Sequence, residues 1–236
     1  MRTYGQYCPI ARAAEIFAER WTPLIVRNIH AGCSTYSEIL AGAPGLSHTV
    51  LTQRLRHLVH AQVIRVRPTG TPGRVHYELS EAGRDLWPVL EALGLWGERW
   101  VELRDEHTNP RFLLWTWSTV YLARANLPDR RVVVRFKLAD QSPDRRNIWL
   151  VVNPGDAEVC IKPPGFDEDL VVETSAKTLT LWHTGRLAWN DAVRSGEIHI
   201  SGPRRLAQML PTWNLRAMPP AREGPPRRQA PEPTRA

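Results

Sequence analysis

Between Ser47 and Leu79 one helical run stands directly before two short strand-like runs, and this order restricts the fold more than any other feature of the chain. Ser47 follows the turn sequence Gly42-Ala-Pro-Gly45 and is of the residue type that caps a helix, because its hydroxyl accepts an N–H that the first turn leaves unbonded. Val50, Leu51, Leu55, Leu58 and Val59 then fall on one side of a helix, with His48, Thr49, Thr52, Gln53, Arg56 and His60 on the other. Val63 to Arg67 and Val75 to Leu79 read as strands, joined through Pro68-Thr-Gly-Thr-Pro-Gly73 as a hairpin with a mobile tip.

The flanks complete the pattern. Cys8 to Phe17 has apolar residues at helical spacing with Pro9 in a tolerated first turn. Thr22 to His30 carries a Thr cap, a Pro just inside and a stop at Ala31-Gly32, and Tyr36 to Leu40 adds one or two turns. Ser80 caps a last helix from Glu81 to about Leu103, bearing Leu86, Val89, Leu90, Leu93, Trp96 and Trp100. Helices, a two-stranded ribbon and a closing helix are the order of a winged helix-turn-helix unit, expected here over residues 1–104, in which one helix enters a DNA major groove.

Charge follows the same layout. The chain has 236 residues and a formal net charge of +7, which by itself does not separate nucleic acid from any other polyanion. Its position does: from Ser47 to His76 there are five arginines and four histidines with no acidic residue. Such a surface suits phosphate, since each neutralised phosphate releases a condensed counterion. The arginine count as a whole, 28 beside three lysines, fits a GC-rich codon bias equally well. His48, Thr49, Thr52 and Gln53 are the expected base-edge readers, because Gln can pair bidentately with adenine and Thr can meet a thymine methyl, and Ser47 is counted with them among the expected DNA contacts. Arg54, Arg56 and Arg67 are expected to support them, with Arg74 and His76 on the wing gripping phosphate or a minor groove.

Over residues 5 to 100 the chain resembles the HxlR-type winged helix regulators. The residues that carry this are Tyr7-Cys8-Pro9-Ile10-Ala11, Glu19-Arg20-Trp21-Thr22, Gly45-Leu46-Ser47, Leu51-Thr-Gln-Arg-Leu-Arg56 and Gly73-Arg74-Val75-His-Tyr-Glu-Leu-Ser-Glu-Ala-Gly83. The resemblance implies a bacterial repressor or activator that binds double-stranded DNA as a homodimer, with the first and last helices forming much of the dimer interface. Ala31-Gly32-Cys33-Ser34 departs from the family's usual Gly followed by a basic residue. In some members the cysteine of the Cys-Pro pair senses oxidants, so Cys8 is a candidate redox sensor; a small residue filling the dimer seam is the alternative.

After Pro110 the composition changes, and an α+β unit is expected over 110–214. Phe112 to Leu127 reads as an apolar helix. Strands are expected at Arg131 to Leu138, Ile148 to Val152, Glu158 to Ile161 and Leu170 to Glu173. Helices follow at Ser175 to His183 and Leu187 to Arg194, then a strand at Glu197 to Ile200 and a helix at Pro203 to Leu210. Leu181-Trp-His-Thr-Gly185 and Ala192 to Gly202 resemble the end of a sterol-carrier-protein-like domain, which implies an apolar tunnel for a hydrophobic small-molecule effector. Trp115, Trp117, Trp149, Trp182 and Trp189 are its expected lining, with simple core packing as the other reading. Residues 217–236, rich in Pro and Arg, are expected to be a disordered tail.

Other classes find no motif. There is no Gly-rich phosphate loop, His-Glu-x-x-His pair or Gly-x-Ser-x-Gly elbow, so neither catalysis nor a cofactor is expected. His57 and His60 have no evident third ligand, so no metal is expected. Three scattered cysteines and no apolar run long enough to cross a bilayer point to a cytoplasmic chain without membrane association. The rival reading is a lipid-binding carrier protein whose basic unit serves only as an adaptor.

Overall fold

The computed structural model describes residues 3–70 and 73–216, so Thr71 and Pro72 at the hairpin tip and the expected tail lie outside the described residues. Its first helix, α1 (Pro9–Phe17), opens on a proline, where no intrahelical N–H is needed. α2 (Thr22–His30) does not use Thr22 as its cap, as the sequence suggested. Trp21 holds that position with a left-handed φ of 78°, and Thr22 becomes the first helical residue, buried with its Oγ1 unpartnered among the described residues. α3 (Tyr36–Ala41) begins with a reciprocal cap: Thr35 accepts the Glu38 N–H while the Glu38 carboxylate accepts the Thr35 N–H. α4 (His48–His60) is capped by Ser47, whose Oγ accepts the Val50 N–H at 3.3 Å.

β1 (Ile64–Pro68) and β2 (Val75–Leu79) pair antiparallel, Val66 opposite Tyr77. The closing helix is two helices. α5 (Glu81–Asp85) is capped by Ser80 and ends at Leu86, and α6 (Trp87–Trp100) starts afresh with Pro88 in its first turn. A proline cannot donate the N–H that would have continued α5, which is why a run of regular apolar spacing breaks there. Gly83 is forced by crowding: a Cβ on it would sit 2.1 Å from the Val63 carbonyl oxygen, the same oxygen that accepts from the Ser80 N–H and hydroxyl.

The first core gathers Ile25, Val26 and Ile29 from α2, Ile39 from α3, Leu51, Leu55 and Leu58 from α4, and Ile64 and Leu79 from the ribbon. Three of the five α4 residues expected inside are fully buried, whereas Val50 is half-buried and Val59 exposed. Removing any one of these leucines to alanine falls in the class of change that costs about 2–5 kcal/mol.

The second unit is a five-stranded mixed sheet with helices over one face. β3 (Val132–Leu138), β4 (Asn147–Asn153), β5 (Asp156–Cys160), β6 (Leu170–Thr174) and β7 (His199–Ser201) stand in the order β5-β4-β3-β6-β7, with β3 and β6 parallel and the other pairs antiparallel. α7 (Pro110–Thr119), α8 (Ala176–His183), α9 (Trp189–Arg194) and α10 (Arg204–Met209) complete it. The first of these was expected to run to Leu127 and stops at Thr119. Beyond it Leu122 bridges to Asn214, and the Ala123 N–H is donated to the Trp213 carbonyl, so a distant partner takes bonds that a longer helix would have used.

Trp117, Trp182, Trp189 and Trp213 are buried in the second core. Trp117 meets Trp182 edge-on at a centroid distance of 5.0 Å, and Trp182 meets Trp189 at 4.7 Å. These rings fill one another's space within the second core. Trp149 lies on the other sheet face, its Nε1 donating to Glu168 at 2.9 Å. Trp115 packs against the first core instead, so close to α3 that a Cβ on Gly42 would meet its ring at 2.5 Å. The Arg27 guanidinium lies over Phe112 and donates to the Gly42 carbonyl, an Arg216–Glu98 ion pair ties the far end of the second unit to α6, and Lys177 pairs with Asp105.

His183 gives the second core a pH dependence. Its Nδ1 accepts from the Asn214 amide at 2.8 Å, which leaves the Nε2 proton facing Thr116 Oγ1 at 3.4 Å. Burial, with the Arg216 charge adding to it, pushes its pKa down to about 3. The unfolded chain therefore takes up a proton below about pH 6.5 that the folded chain refuses, and stability present above that pH is lost as pH falls toward 3. Urea unfolding at pH 6.5 and 5.5 should show wild type losing about 1 kcal/mol more than His183→Gln over that interval, close to the limit of 1.4 kcal/mol per pH unit. Equal losses would show that His183 is protonated in the folded state.

Candidate nucleic-acid interface

Tyr36 on α3 holds the beginning of α4. Its hydroxyl donates to the His48 carbonyl at 2.9 Å and lies 3.3 Å from Thr52 Oγ1, while its ring stacks on the His48 imidazole. No local pattern points to this tyrosine, because the contact spans twelve residues and depends on how α3 crosses α4. Its effect is to fix the first turns of α4, which leave Ser47, His48, Thr49, Gln53 and Arg56 exposed and Thr52 half-exposed along one side. No acidic residue stands in the first turn of α4, where the unbonded N–H groups carry the positive end of the helix dipole.

The arginines divide into two sets. Arg56, Arg65 and Arg74 are exposed and make no ion pair among the described residues. Arg54 turns off the exposed side: it is 18% exposed, donates to Glu19 at 2.6 Å and to the Arg20 carbonyl, and so ties α4 to the α1–α2 connection. Arg67 pairs across the ribbon with Glu78 at 2.7 Å. The ten expected contact residues therefore do not form one uniform patch. Ser47, His48, Thr49, Thr52, Gln53 and Arg56 lie along α4, Arg74 and His76 are exposed on the wing side, and Arg54 and Arg67 are engaged with carboxylates.

The wing and α4 share an anchor in the connection before α3. The Ser34 carbonyl accepts the Tyr77 N–H of β2 at 2.7 Å, and the Glu38 carboxylate accepts the Ser34 and Thr35 N–H groups at 2.8 and 3.0 Å. Burial raises the Glu38 carboxyl, but those hydrogen bonds outweigh it and hold it below its ordinary value. Cys33 beside it is buried, and burial, with the Glu38 charge adding, pushes its thiol up to about 11, so it stays a thiol at neutral pH. Cys8 sits at the position preceding α1 and is half-buried.

An apolar stripe lies on a separate surface. On α6, Val89, Leu93, Trp96 and Trp100 are spaced by four, three and four residues and are 51%, 48%, 56% and 53% exposed. Tyr7 and Ile10, at the start of α1, are more exposed still. Leu86 and Leu90 pack against the first core, and the stripe adjoins them on the same helix while staying exposed. Among the described residues no group of three or more histidine, cysteine or acidic side chains has a metal-binding arrangement, and no helix is long and apolar enough to cross a membrane.

The family profile described as HxlR-like helix-turn-helix matches residues 16–105. The uncharacterised HTH-type transcriptional regulator YvaP of Bacillus subtilis is 36% identical over 101 residues, which cover 42% of this chain and 93% of YvaP. The uncharacterised HTH-type transcriptional regulator Rv3095 of Mycobacterium tuberculosis is 33% identical over 143 residues, covering 55% of this chain and 90% of that protein. Among solved structures, the reduced form of the transcriptional regulator YodB from B. subtilis is 27% identical with a TM-score of 0.37, covering 42% of this chain and 100% of that one.

Proposed function

The chain belongs to the HxlR-like helix-turn-helix family, and on that premise we propose that it is a homodimeric transcription regulator that reads operator DNA with α4 and grips the flanking backbone with its wing. The observation that carries this reading is the exposed side of α4, polar from Ser47 to Arg56 and held at its start by Tyr36, with arginines on α4 and the ribbon that make no ion pair among the described residues. Thr49 and Gln53 are the base readers, His48 and Thr52 the residues next to them, and Arg56, Arg65 and Arg74 the phosphate contacts. Arg54 is a positioning residue, acting through Glu19.

The homodimer reading is supported by the α6 stripe and the start of α1. One chain leaves four large apolar side chains in a row on α6, and a two-fold partner would cover the same row with its own. Cys8 lies where that seam would form, so sensing by its thiol and simple filling of the seam both remain readings of this residue. The second unit is read as sterol-carrier-like on the succession of α9, β7 and the Gly202 turn. The glycine is required there, because its φ is +130° and a Cβ would meet the Asp169 carbonyl oxygen at 2.4 Å. An apolar effector among the tryptophans gains no support from rings that pack on one another.

The test is the salt dependence of binding. Arg74→Gln removes one charge from each protomer, so the slope of log K against log salt should become shallower by about 2, at about 0.9 per lost phosphate contact. A slope identical to wild type in a fluorescence anisotropy titration would remove Arg74 from the interface.

A further inference from the structure

Where the two units meet, a cleft of about 360 Å³ opens between the connection that precedes α3 and the face of α7 and β5. Cys33 and Glu38 form one wall; Trp115, Ser118, Arg124 and Asp156 stand on the other. The first wall is the same connection that holds both DNA-facing elements. Ser34 accepts the β2 N–H of Tyr77, Glu38 accepts the Ser34 and Thr35 N–H groups, and Tyr36 bonds the first turn of α4. Anything that wedges or closes the cleft therefore bears on wing and reading helix at once.

The lining decides the chemistry. Glu38 is already occupied by two N–H groups, and Cys33 is held as a neutral thiol. Arg124 and Asp156 are exposed at the mouth and form no ion pair among the described residues. The Ser118 hydroxyl donates to the Trp115 carbonyl and keeps its acceptor lone pairs. A cation and an anion without ion-pair partners among the described residues, beside an aromatic ring and a hydroxyl, suit a small molecule that carries both a carboxylate and an ammonium. The volume is at the low end of the range for small-molecule sites, about 300–1,000 Å³, and the polar mouth is the opposite of a lipid tunnel.

We propose that the cleft between α3 and α7 binds a small zwitterion of the free amino acid class, and that its occupancy changes DNA affinity by shifting the 31–35 connection and the start of α3. Arg124 receives the carboxylate and Asp156 the ammonium, while Trp115 lies along the side chain. Binding itself is independent of DNA; only its consequence rests on the regulator reading. Coupling requires that the ligand favour one arrangement of the connection over another, and Trp115 against Gly42 is the contact through which the second unit would transmit it.

The experiment uses the full chain. Thermal unfolding is followed with each common L-amino acid at about 10 mM, beside acetate and methylamine, which carry one charge each; at least one amino acid should raise Tm by about 2 °C or more and neither control should. Arg124→Gln and Asp156→Asn, both at exposed positions, should each abolish the shift without lowering the ligand-free Tm. No shift with any amino acid, or a shift that survives both substitutions, overturns the site. The active amino acid should then change affinity for the protein's own upstream DNA by about fivefold or more in wild type and not in Asp156→Asn. An unchanged affinity overturns the coupling, whereas failure to bind DNA under any condition strikes the regulator reading and leaves the binding result standing.

Discussion

Replacing Leu93 and Trp96 together with aspartate is expected to leave the proposed homodimer as a monomer and to lower operator affinity by about a hundredfold or more. Both side chains lie half-exposed on α6, outside the first core, so the substitution costs the single chain little of its own packing. In a dimer they would be buried against their two-fold copies, and four carboxylates in one apolar seam cannot all stay ionised and unpaired there. The loss in affinity follows from linkage between half-sites. Once one protomer is bound, the second reading helix is held near its half-site at high effective concentration, a gain of about 10²–10⁴ that a monomer forfeits. Sedimentation velocity gives the mass and circular dichroism the fold. A dimer that persists with both aspartates places the two-fold contact elsewhere on the chain.

The second large effect is on sequence discrimination. Thr49→Ala with Gln53→Ala keeps α4 helical, since alanine is the best helix former and neither side chain reaches the core. Each lost base contact is worth about 1 kcal/mol or more and is made twice in a symmetric dimer, so affinity for the operator should fall by about a thousandfold or more. Affinity for random duplex should hardly move, because Arg56, Arg65 and Arg74 are untouched. An equal fall on both DNAs would make these two residues part of the nonspecific grip.

The elements of the first unit were legible because each is written locally. Ser47 and Ser80 cap the helices they precede, and β2 spans the residues that alternation assigned to it. What escaped the sequence depends on groups far apart in the chain. Arg54 reads as one more surface cation until Glu19 is found beside it across 35 residues, and Tyr36 is an ordinary helix residue until α4 crosses it. Pro88 was visible, but the apolar spacing through Leu86 and Leu90 outweighed it, and the helix was drawn through a break that the missing N–H imposes. In the second unit the strands were placed to within a few residues. For the tryptophans two readings stood side by side, because sequence shows that a ring will be buried without showing whether a ligand or another ring will bury it.

Base reading by the exposed side of α4 is the central proposal, and one measurement meets it head on. Titrating the full chain against its own upstream DNA and against a shuffled duplex of equal length, at two salt concentrations, gives specific and nonspecific affinities on one scale. Reading by α4 predicts a preference of about a thousandfold or more for the upstream duplex, retained at the higher salt while both affinities weaken. Equal affinity for the two duplexes would contradict it, and would leave the basic surface as an electrostatic adaptor and nothing more.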